Sequence, residues 1–181
     1  MKRRINCDVF MLDNSVFEDD ICIEGNFYAG DNCCACNIDA GDIYMGDNVK
    51  AYDIHAEGNI VIGDYANLKN VEAVGKVFLG NFADVFKIYA TREIILGDNI
   101  CTNLYTIFSW KNICGGDNCH TGNICTMGNV FFGDNAHVGK VRSAGNVLFG
   151  HNCDIGTITI GGTLSLGRNS RRGTMSKVFD E

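Results

Sequence analysis

Ten cysteines and four histidines are the residues of this chain with the most chemistry to offer. Residues 114–120 read Cys-Gly-Gly-Asp-Asn-Cys-His, the order of a haem-attachment motif with a stretched spacer. Residues 33–36 read Cys-Cys-Ala-Cys and could open a thiolate metal site, but no second cluster follows at a zinc-like spacing. Each of these readings needs a structural context, and the surrounding sequence supplies a different one.

That context is a repeat. Residues 128–138 read Gly-Asn-Val-Phe-Phe-Gly-Asp-Asn-Ala-His-Val, and residues 145–155 read Gly-Asn-Val-Leu-Phe-Gly-His-Asn-Cys-Asp-Ile. The second glycine of the phrase falls at Gly30, Gly46, Gly63, Gly80, Gly97, Gly116, Gly133, Gly150 and Gly167. Successive gaps are 16, 17, 17, 17, 19, 17, 17 and 17, and one period before Gly30 stands Asp13, in a matching frame. A fixed period of this size predicts a solenoid.

Numbered from that glycine, apolar residues recur in pairs spaced by two. Phe27, Ile43, Ile60 and Val77 lie three before it, and Ala29, Met45, Ile62 and Leu79 lie one before it. Ala51, Leu68 and Val85 lie five after, Ile54, Val71 and Ile88 eight after, and Ala56, Ala73 and Ala90 ten after. Period-two alternation marks half-buried strands, and the residues between pairs are where the chain bends. The expected fold is therefore all-β: a single-domain, three-sided β-helix of about ten rungs, roughly 45–50 Å long at ~4.8 Å per rung. Residues 1–9 read as a short arm or cap, 10–169 as the β-helix, and 170–181 as a basic C-terminal coil or tail. Cys33, Cys119 and Cys153 then occupy the column that holds Val49, Ala66 and Ala83 elsewhere, and read as small buried hydrophobes. The Gly-Asp-Asn corner reads as turn chemistry, with glycine tolerating positive φ and Asn14, Asn32, Asn48, Asn99, Asn118, Asn135, Asn152 and Asn169 stacking in a file.

Composition agrees. Proline is absent, as continuous strand ladders require, and glycine numbers 22. The net charge of −7 is uneven: residues 2–4 carry +3 and residues 168–181 carry +2, so the shaft holds −12. An acidic shaft is a poor nucleic-acid binder. No run of 18 apolar residues spans a membrane, and Met-Lys-Arg-Arg lacks a signal's apolar segment. Cysteine usage without an export signal predicts a reducing, cytoplasmic setting, with contact to an acidic membrane surface through the basic ends left open.

The phrases at 58–68 (Gly-Asn-Ile-Val-Ile-Gly-Asp-Tyr-Ala-Asn-Leu) and 75–85 (Gly-Lys-Val-Phe-Leu-Gly-Asn-Phe-Ala-Asp-Val), with their successors over residues 10–169, resemble the bactofilins, the polymer-forming cytoskeletal proteins of bacteria. The resemblance implies a right-handed β-helix that stacks end to end into non-polar filaments without nucleotide or other cofactor. A rival resemblance, around Phe132 to Val138, is to the hexapeptide repeat of left-handed β-helical acyltransferases. There His137 would be the base, but that fold keeps a period of 18. The third alternative is a capped solenoid that binds partners without polymerising, its front arm folded across the first coil.

The expected function is thus structural rather than enzymatic, with the chain itself as chief partner, scaffold clients or a membrane surface as further partners, and no nucleic acid. Phe10, Leu12, Val16, Leu164 and Leu166 are the candidate polymer-interface residues, read as core positions uncovered at the two tips. The 19-residue gap before Gly116 carries Tyr105, Phe108 and the only tryptophan, Trp110. An insertion of this kind becomes a bulge, and its aromatics are a candidate contact surface.

Overall fold

The computed structural model describes residues 2–177, without the side chains of residues 2 and 103–105. It is an all-β, single-domain solenoid of about ten turns, with residues some 17 apart stacked in parallel register. Three-residue strands such as Ile60–Ile62 form one ten-stranded sheet, in which Ile60 pairs with Val77 above and Ile43 below. Seven-residue strands such as Asn67–Ala73 form the other sheet.

Each long strand wraps around an edge. In Asn67–Ala73, Leu68, Val71 and Ala73 point inward, while Lys69 and Asn70, side by side, both point out. Two consecutive outward residues break the period of two, so the strand bends there and one sheet covers two faces. Short strands supply the third face. Inside, Val49, Ile54, Ile60, Val71, Val77, Ile88, Ile94, Val130 and Ile158 are almost wholly sealed from water. The columns are complementary in size: small Ala56, Ala73 and Ala90 share coils with Ile60, Val77 and Ile94. Gly115 breaks the large column beneath Phe132, and a side chain there would strike the Phe132 ring, which stacks onward on Phe149 at 5.6 Å.

The corner chemistry differs from expectation in one respect. Ten residues have positive φ, from 55° to 61°: eight asparagines, Tyr65 and Phe82, and no described glycine is among them. The glycine two residues earlier is required for another reason. Asp31, Asp47, Asp64, Asp98, Asp117 and Asp134 each accept, through Oδ1, the backbone N–H one coil on, for example Asp134 N–H at 2.7 Å from Asp117. That oxygen fills the space in which the next coil's glycine would carry a Cβ. A second ladder runs along the next edge, where Asp8, Asn26, Asp42 and Asn59 cap one another's coils in turn. Lys76 interrupts it, and an ion pair to Glu93 at 3.5 Å stands in its place.

The long coil keeps both sheets intact. Asp84 pairs with Cys101 and then Ile88 with Ile107, so two extra residues are absorbed between those pairs as a bulge.

Candidate functional site: the tips and the outward columns

Pairing begins earlier than the repeat alone indicates. Lys2–Ile5 is a strand in register with Asp20–Ile23, so part of the stretch read as an arm is the first rung of the wall. At the other end Arg171–Arg172 and Met175–Lys177 both pair with Asp154–Ile160, adding a partial eleventh layer.

The register at the first coil corrects the reading of three tip residues. Val9 pairs with Phe27 and Met11 with Ala29, and Asn14 and Asn32 share the left-handed corner, so this step is 18 residues rather than 17. A slip of one turns every side chain to the other face. Phe10 and Leu12 are therefore outward, at 71% and 82% exposure, and Val16 is also exposed; Val9, Met11 and Phe17 pack on the core instead. Phe10 ends a stack of rings, lying 4.8 Å from Tyr28, which lies 5.2 Å from Tyr44. Leu12 occupies the glycine column, and among the described residues no coil lies beneath it to crowd a side chain there. Leu164 and Leu166 hold inward columns above Val147 and Phe149, half-buried at the other tip.

The two tips differ in charge. At the front, Arg3 takes the position of an inward residue, in register with Ile21, and lies over the Phe17 ring at 5.8 Å while pairing with Asp19 at 3.4 Å. Arg4 pairs with Glu24 at 3.2 Å. At the back, Arg168 succeeds the carboxylate column and has no acceptor to offer a further coil; its own N–H is held by His151 Nδ1 at 2.7 Å. Arg171, Arg172 and Lys177 form no ion pair among the described residues.

Of the bulge aromatics, Tyr105 lies outside the described side chains. Phe108 stacks on Tyr89 at 5.2 Å and meets Trp110 edge-on at 5.7 Å, and the Trp110 ring N–H donates to the Tyr89 hydroxyl at 3.0 Å. The set lies on the outside of the wall, with Trp110 exposed.

Cys33, Cys119 and Cys153 are buried in one inward column. Burial pushes the Cys119 thiol up to about 11, the wrong direction for a thiolate ligand. Cys114 points out from its short strand, also with a raised pKa from burial. No group of three or more Cys, His, Asp or Glu with metal-holding geometry occurs among the described residues. His137 lies outward, its ring stacked on His120 at 4.7 Å and its Nδ1 3.2 Å from the Asn135 carbonyl oxygen.

Comparison with protein families, with curated proteins and with solved structures returned no match. The solenoid geometry is consistent with a structural or scaffold role.

Proposed function

We propose that this chain is a structural β-solenoid that self-associates end to end, as the bactofilin-like phrase implies. The observation that carries this reading is the front tip, where the strand edges at Lys2–Ile5 and Val9–Met11, unpaired among the described residues, lie beside exposed Phe10, Leu12 and Val16. Covering that tip with a second front tip would pair the edges antiparallel and bury the apolar side chains together. The contact is isologous and self-complementary, and the nearby arginines are already matched by Asp19 and Glu24.

Head-to-tail continuation fits less well. Arg168 would stand where the ladder needs an acceptor, and Leu12 would carry a side chain into the corner that glycine keeps clear. Tail-to-tail contact brings two sets of Arg168, Arg171, Arg172 and Lys177 together, so it is opposed at low ionic strength and eased by salt. Alternation of the two same-end contacts yields a fibre without polarity.

Negative-stain microscopy and sedimentation test this. Paired particles are expected at low salt and fibres at high salt, with Phe10→Lys/Leu12→Lys abolishing both. A wild-type chain that stays monomeric at high concentration in either condition, or fibres unaffected by the double variant, overturns front-tip association.

A further inference from the structure

Each three-residue strand turns its middle side chain outward, and these side chains form an apolar file along the rod. Val61, Phe78, Ile95, Phe131 and Leu148 stack in register, with Cys114 between Ile95 and Phe131. The ring stack of Phe10, Tyr28 and Tyr44 continues the file to the front tip, and Ser165 ends it at the back. Ile95, Phe131 and Leu148 are 38%, 37% and 44% exposed. The outward columns of the long strands carry polar groups instead, such as Lys50, Asn67, Lys69 and Asn70. One face of the three is therefore apolar on all but its last rung, which marks a contact surface.

That face runs between two unlike edges. Where each short strand ends stands the carboxylate ladder, with Asp98 and Asp117 on adjacent coils. Where each short strand begins, three consecutive coils carry Lys76, Arg92 and Lys111. Arg92 and Lys111 are exposed and form no ion pair among the described residues. Arg92 and Asp98 thus flank Ile94–Leu96, and Lys111 and Asp117 flank Ile113–Gly115. Nearer the front the starting edge carries Glu24, Asp42 and Glu57, so its cations are confined to the middle coils.

A second copy fits this face in one orientation. A two-fold axis along the rod lays the copies side by side and parallel, with the starting edge of each against the finishing edge of the other. At equal height Arg92 then meets Asp98 and Lys111 meets Asp117, twice over by symmetry. A two-fold across the rod makes the copies antiparallel and sets ladder against ladder, carboxylate on carboxylate. The face is about 10 Å wide and 45 Å long, so the pair buries on the order of 1,000 Å2 in total with its edges, the lower bound of a specific interface.

We propose that two copies of this chain pair side by side and in parallel through the outward file of the ten-stranded sheet, with Cys114 of one facing Cys114 of the other across the two-fold axis. This contact shares only Phe10 with the front tip and does not rest on end-to-end assembly. It is tested with that tip blocked, so the two contacts fail separately.

Sedimentation of the Phe10→Lys/Leu12→Lys chain provides the test. A reversible dimer is expected in the submillimolar range. Adding Ile95→Lys/Phe131→Lys should weaken it about tenfold or more, and adding Arg92→Glu/Lys111→Glu should do the same by setting like charges against Asp98 and Asp117. All four side chains lie outside the wall, and an unchanged circular-dichroism spectrum verifies the fold of each variant. Facing sheets lie ~10 Å apart, too far for a direct Cys114 disulfide but within reach of a short bifunctional methanethiosulfonate. That reagent should give a Cys114–Cys114 link by mass spectrometry. A tip-blocked chain that stays monomeric at millimolar concentration overturns the pair, including one whose apolar face floats on phosphatidylcholine vesicles instead. A dimer unmoved by either added double variant, or yielding no Cys114–Cys114 link, overturns it as well.

Discussion

The Oδ1 of Asp117 accepts the backbone N–H of Asp134, one coil on, at 2.7 Å, in the space that a side chain on Gly133 would occupy. The corner glycine and the carboxylate beneath it are one unit spread over two coils. The carboxylate supplies an acceptor that a bent backbone leaves unmet, and the glycine keeps the space for it.

Two substitutions separate those roles. Asp117→Ala removes a charge-assisted bond at a solvent-exposed corner and is expected to cost about 1–2 kcal/mol in urea unfolding. Gly133→Ala forces the carboxylate aside and is expected to cost about 1–3 kcal/mol. The double variant should cost less than the two together, because the methyl then enters vacated space; strict additivity would refute the steric account.

At the same corner, Tyr65 and Phe82 replace asparagine in the left-handed region. The paired change Tyr65→Asn/Phe82→Asn is expected to raise stability by about 1 kcal/mol, since two strained residues are relieved and one exposed ring stack is lost. A fall in the urea midpoint would show instead that the stack outweighs the strain.

Cys119 makes alkaline stability measurable. Its thiol is raised by burial from the ordinary 9.0 to about 11, so the folded chain holds this proton more tightly than the unfolded one. The associated stability is fully present below pH 9 and is lost as pH rises through 11, by about 2–3 kcal/mol. Cys119→Val, matching Val49 in the same column, should flatten stability between those pH values. An unaltered pH profile in that variant would assign the loss to other groups.

Most of the architecture is legible in the chain because each coil repeats one local phrase. The inward columns of Ile60, Val71 and Val77, the buried Cys33 and Cys153, and the asparagine file all follow from spacing. Outward columns follow from the same arithmetic, four and six residues past each glycine.

The first coil was not legible. Asp13 imitates the phrase at a distance of 17 from Gly30, yet the chain steps by 18 and Leu12 takes the glycine's place. Local sequence cannot reveal this, since glycine is demanded only by an acceptor from the coil below, and none of the described residues supplies one to Leu12. What the sequence by itself determined was the period, the three faces and the composition of the core, because those depend on residues within one turn. Tertiary structure alone decided which side Phe10 and Leu12 face, how Arg168 ends the acceptor ladder, and why the glycines are there. Each of those depends on contacts between neighbouring coils rather than on residues within one turn.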